Sequence, residues 1–164
     1  MADDGAPATE PRWLDETERE AWLATAAIII KLPAALDAQL QSDAGLSFFE
    51  YMVMAALSER EDRTMQMSDI ARFTSSSLSR LSHTAKRLEV QGYLERTQVP
   101  GPGRRTTATL TDAGYAKVVA TAPGHVENVR ALLIDAVSSE QLVALGGIGR
   151  QVLDRLGGGG DWPR

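Results

Sequence analysis

The sequence predicts a mainly α chain with a small β-hairpin, and three observations lead there. Apolar residues recur three and four positions apart along most of the 164 residues, the period of helices that bury one face. Tyr93 to Leu110 reads instead as two short strands around a Gly/Pro loop. Capping residues and glycines fall where the helical patterns begin and end.

The totals narrow the class. The longest apolar run, Ala26 to Ile30, is too short to span a bilayer, and the acidic start MADDGAPATEPRW is no signal peptide. With no cysteine in the chain, disulfides, thiolate metal sites and thiol redox chemistry are excluded, and a cytoplasmic location is expected. The net charge of -5 is unevenly spread. Residues 1–71 carry -9, residues 72–107 carry +5, and residues 108–164 carry -1. Phosphate affinity follows the local patch more than the sum, so the basic island directs attention to that segment.

Residues 1–12 are expected to form a disordered tail and 157–164, with Trp162, a flexible one. The first helix is expected from about Asp15 to Gln41. Trp22, Ala26, Ile29, Pro33, Leu36 and Leu40 form its apolar stripe, and Pro33 predicts a kink. A second helix follows Gly45, with Ser47 as N-cap, and a charged loop leads to a minimal strand at Met65-Gln66-Met67. Ser68 is expected to cap a short third helix, Asp69 to Phe73. After the turn Thr74 to Ser77, a fourth helix runs from Ser76 to Gln91 and ends at Gly92. The hairpin follows as Tyr93 to Thr97, a loop from Val99 to Gly103, and Thr106 to Leu110. Thr111 caps a fifth helix, interrupted or kinked at Pro123-Gly124, and Ser138 with Gln141 opens a sixth.

The fourth helix carries the chemistry. At about 100° per residue, Leu78, Leu81, Ala85 and Leu88 share one stripe. Ser76, Ser79, Arg80, His83 and Arg87 lie opposite, with Lys86 at their edge, and Glu89 lies apart on the apolar side. A helix-turn-helix followed by a basic two-stranded wing bearing Arg104 and Arg105 suits double-stranded DNA. A helix fits the major groove, arginine can bond guanine through two N–H groups, and serines at the helix start reach phosphates.

Several stretches carry a family resemblance in order and spacing. They are Gly45-Leu46-Ser47, Phe49-Glu50-Tyr51, Ala55-Ala56-Leu57-Ser58, Met67-Ser68-Asp69-Ile70-Ala71 and Ser77-Leu78-Ser79-Arg80-Leu81. Arg87-Leu88-Glu89, Gln91-Gly92-Tyr93-Leu94 and Leu110-Thr111-Asp112-Ala113-Gly114 complete them. The chain thereby resembles the MarR family of transcriptional regulators over about residues 14–156. The resemblance implies a winged helix-turn-helix core at 45–112, flanked by dimerisation helices at 13–44 and 113–156. It further implies a homodimeric, sequence-specific DNA-binding regulator, a repressor relieved by a small aromatic ligand. In the family an Asp precedes the wing arginine by two residues. Here Pro102 stands before Arg104, so either Arg104 or Arg105 is left as the wing contact.

The expected DNA-binding residues are therefore Ser76, Ser77, Ser79, Arg80, His83, Lys86, Arg87, Arg104 and Arg105. Plainer readings compete with these. A basic helix face can be solvated surface, Arg104-Arg105 an ordinary loop, and His83 a surface histidine. Trp22, Phe48, Phe49 and Tyr51 read as core before effector pocket, and His125 as a local packing or capping residue. An alternative function is a winged-helix protein-interaction or dimerisation module without DNA binding, which has no use for the +5 segment. No enzyme is expected, and no cofactor or metal: HExxH, Walker-type and GxGxxG motifs are missing, and the histidines His83 and His125 stand far apart.

Overall fold

The computed structural model describes residues 10–100 and 105–157. Its elements run α1 (Glu16–Ala44), α2 (Phe48–Ser58), β1 (Thr64–Gln66), α3 (Met67–Phe73), α4 (Leu78–Val90), β2 (Leu94–Val99) and β3 (Arg105–Leu110). They continue as α5 (Asp112–Val129), a π-helical turn (Arg130–Ile134) and α6 (Ser139–Arg155). The mainly helical class with a small β wing is the observed one. Residues 1–9 and 158–164, with Trp162, and the loop residues Pro102 and Arg104 lie outside the described residues.

Local chemistry sets most boundaries. Asp15, Ser47 and Ser138 each accept an N–H of their helix's first turn, while Glu18, Glu50 and Gln141 reach back to the cap. Each such capping box satisfies two donors that a helix end otherwise leaves open. Helix α4 starts at Ser77, whose hydroxyl accepts from Arg80 N–H. It ends as a Schellman motif: Gly92 sits at φ 76°, and Tyr93 N–H returns to Leu88 C=O at 2.9 Å. The same pattern closes α3 with Ser75 at φ 48°, a left-handed position that usually falls to glycine. That turn aims α4 across α3.

The core lies where α1, α2, α3 and α4 meet the sheet. Leu40, Leu46, Met54, Ile70, Leu81 and Leu88 are fully buried there. At about 1.5–3 kcal/mol for each large side chain, this cluster is the main stabilising term of the winged region. Phe48 N–H donates to Asp37 Oδ1 at 2.7 Å and ties the start of α2 to α1.

Several expectations are corrected. Ser68 does not cap α3. The helix begins at Met67 after an extended Gln66, without a side-chain cap. The minimal strand is Thr64–Gln66 and does not stand alone. It pairs antiparallel with β3, making a three-stranded sheet of order β1-β3-β2. Thr64 and Thr109 hydroxyls meet across that pair at 2.9 Å. Val99 belongs to β2, opposite Arg105 of β3, not to the loop. No interruption occurs at Pro123-Gly124: α5 is continuous there, as α1 is through Pro33. The carbonyls that lose a donor belong to Val119 and Ile29, both on exposed stretches where water can replace it.

The two ends of the chain bury little. Only Leu36 and Leu40 are buried along α1, while Trp22, Ile29 and Ile30 are exposed, so Trp22 is not core within one chain. By length and composition α1 is long and apolar enough to cross a membrane, although no single run in the sequence suggested it. Helix α6 turns 98° from the segment before it and buries no residue at all.

Candidate nucleic-acid interface

Helix α4 turns Leu81, Thr84, Ala85 and Leu88 into the core. The opposite side therefore carries Ser79, His83, Lys86 and Val90, all exposed. Val90, 83 % exposed, was missed by sequence reasoning because an apolar residue at the end of a helix reads as core. Leu78, expected on the core stripe, is 56 % exposed. It faces a cleft of 270 Å³ between α4 and the wing, lined also by Ser68, Ser82, Arg96 and Arg105. Arg105 thus stands across this cleft from α4.

Arg80 and Arg87 occupy the flank of α4 that turns toward α2. The Arg80 guanidinium lies 4.3 Å from the centre of the Phe49 ring. Arg87 pairs with Glu50 at 2.9 Å, and the Glu50 side chain is only 7 % exposed while that of Arg87 is 63 % exposed. Glu50 Oε2 also accepts the Ser47 N–H and hydroxyl, each at 2.8 Å. Ser47 was expected as an N-cap, but the role of Glu50 in a capping box and its pairing with Arg87 were not read from the sequence. Ser76 shares a hydrogen bond with Thr74 at 2.9 Å, so it belongs to the turn as much as to the outer face.

Glu89 has a structural role. It accepts the Arg96 backbone N–H at 3.1 Å and its guanidinium at 2.6 Å, fastening β2 to the last turn of α4. The hydrogen bond from Arg96 lowers the Glu89 pKa, and the same bond raises that of Arg96. The pair thus favours the charged forms of both groups and fastens the root of the wing to α4.

Behind this surface, His125 of α5 packs against Tyr51 and Phe48 of α2, with ring centroids 4.6 and 6.2 Å apart. Burial lowers the His125 pKa and raises that of Tyr51. His125 Nδ1 is buried without a hydrogen-bond partner. The unfolded chain accordingly takes up the proton more readily. Stability tied to neutral His125 is complete above the unfolded pKa near 6.5 and falls as pH drops toward the folded one. Wild type should thus lose more Tm between pH 7.5 and 5.5 than His125→Phe. Equal losses would mean that this ring does not sense pH.

A three-helix core, a short helix-turn-helix and a basic hairpin define the winged helix-turn-helix class of DNA-binding folds. Residues 44–105 match the MarR family model. The chain also matches the structure of Sco3205, a MarR family transcriptional regulator from Streptomyces coelicolor in complex with DNA. Identity there is 38 %, TM-score 0.84, covering 89 % of this chain and 92 % of that one. AbsC, a MarR family regulator from the same organism, is 34 % identical with TM-score 0.83, covering 90 % and 99 %. The chain belongs to the MarR family of transcriptional regulators, and it is not an enzyme. Sco5413, another regulator of that organism and family, shares the fold at TM-score 0.73 and 22 % identity, covering 87 % and 97 %. No curated protein matches the chain by sequence.

Among the described residues, no group of His, Cys, Asp or Glu has the arrangement of a metal site.

Proposed function

We propose that this regulator binds a pseudo-palindromic operator as a cytoplasmic homodimer and acts as a repressor. The observation that carries the reading is the exposed polar face of α4, with Ser79, His83 and Lys86 outward and Arg105 across the adjoining cleft. DNA contacts are assigned to Ser76, Ser77, Ser79, Arg80, His83, Lys86, Arg87, Arg104 and Arg105. In this assignment α4 enters the major groove, and the wing follows the backbone or the neighbouring minor groove.

The dimer reading assigns the uncovered apolar faces of α1 and α6 to one interface, within residues 13–44 and 113–156. Helix α6 buries no residue within its own chain, so its apolar face is free for a partner. Two-fold pairing would place two recognition helices roughly one DNA turn, about 34 Å, apart. The crystallisation of Sco3205 with DNA supports the nucleic-acid partner. Relief of repression by a small aromatic ligand, which the family resemblance implies, completes the reading.

A gel shift with the DNA upstream of its own coding sequence, and with fragments selected from random DNA, tests the reading. Selective binding at about 0.1–0.15 M salt is expected. Equal affinity for every fragment would defeat it, and no binding to any would favour a winged-helix protein-interaction module.

A further inference from the structure

We propose that Phe49 and Glu50, neighbours on α2, are positioning residues that hold the two recognition-helix arginines ready for DNA. Arg80 lies against the Phe49 ring, and Arg87 bonds the buried Glu50 carboxylate. The two contacts differ in chemistry and share one consequence. Stacking uses the flat face of the guanidinium and leaves its in-plane N–H groups free for a guanine edge or a phosphate. The Glu50 contact engages Arg87 Nη2 and leaves most of that side chain exposed. A free arginine side chain samples many rotamers, so one already oriented loses less entropy when it meets DNA.

Glu50 is itself immobile. Ser47 holds one carboxylate oxygen twice, and the other faces Arg87. Phe49 is half-buried and packs against the core cluster. Consecutive helical positions point about 100° apart, so one turn of α2 serves two arginines that stand two turns apart on α4. The spacing of seven from Arg80 to Arg87 puts both on the flank facing that turn.

The inference rests on α4 being the DNA-reading helix, and two double-mutant cycles separate the two ideas. The variants are Phe49→Leu with Arg80→Ala, and Glu50→Gln with Arg87→Gln. All are titrated with the operator fragment selected above and with random DNA, and each is melted to show that it is folded. If Phe49→Leu lacks a cooperative melt, Phe49→Met takes its place. Phe49→Leu should weaken operator binding about three- to fivefold, the size of one exposed cation–π contact, and should change little once Arg80 is alanine. Glu50→Gln should likewise weaken binding in the wild-type background and change little beside Arg87→Gln. Losses that persist in the arginine-free backgrounds make both residues merely structural and overturn the proposal. Tighter binding by Phe49→Leu also overturns it, since Arg80 would then have to leave the ring to read DNA. Failure of the wild-type chain itself to select DNA is a different outcome: it removes the DNA-reading assignment on which the proposal stands.

Discussion

Leu145→Asp should convert the proposed dimer to a monomer and cost about 100-fold or more in operator affinity, because two linked half-site contacts become one. Leu145 is exposed on α6 within one chain, as are Ile148 and Val152 on the following turns. An aspartate there meets only water in an isolated protomer and leaves its fold intact. In a dimer sealed by this face it would bury a carboxylate without a partner, which costs several kcal/mol. Sedimentation and a gel shift on the same sample read both consequences. A stable dimer of unchanged affinity would show that α6 faces solvent, and the interface would have to be sought elsewhere. Leu153→Asp, on the same helix but half-buried, should behave alike.

Gly114→Ala should destabilise the winged region by about 3 kcal/mol, the upper part of the range for overpacking. Gly114 occupies the first turn of α5, where its N–H donates to the Thr111 cap at 3.0 Å. A methyl group at this position would collide with the Tyr93 carbonyl and stand 2.7 Å from Leu110 Cδ1. The Tyr93 carbonyl cannot retreat easily, because it accepts the Thr111 N–H at 3.1 Å. Nor can Thr111, whose hydroxyl donates to Gly92 C=O at 2.7 Å. The close approach fixes the entry of α5 against the end of α4, and hence the path from the wing into the terminal helices. Thermal or urea unfolding measures the effect. A Tm within a degree or two of wild type would mean that this junction yields freely.

The contrast between these two sites shows how far residue patterns reach. On α6, Leu142, Leu145, Ile148 and Val152 recur three and four positions apart and form one helix face, as that spacing indicates. What the spacing does not tell is whether the cover comes from the same chain. Gly114 appeared only as part of Leu110-Thr111-Asp112-Ala113-Gly114, with no sign that it touches the turn after α4. The caps were legible where donor and acceptor lie three residues apart, as at Ser47 and Ser138. The cap at Ser68 was misread because β1, pairing with β3, takes the preceding residues into the sheet and starts the helix two residues earlier. Val99 was placed in the loop because Pro100 and Gly101 follow it, yet the register with Arg105 keeps it paired.

The amino-acid sequence by itself determined the helices, the capped starts at Ser47, Thr111 and Ser138, the Gly92 stop, the basic island and the two-stranded core of the wing. Each depends on residues within a few positions of one another, where backbone geometry imposes a short period. Only the tertiary structure decided what the α4 side chains face. Arg80 and Arg87 were the first choice as base readers from the sequence, on the helical wheel alone. In the fold they stand against Phe49 and Glu50, and Ser79, His83, Lys86 and Val90 form the outermost strip. The reason is physical: a wheel separates apolar from polar directions, but the partner of a polar side chain lies on another element. Here that partner lies more than thirty residues away on α2, brought near by the packing of the helical core.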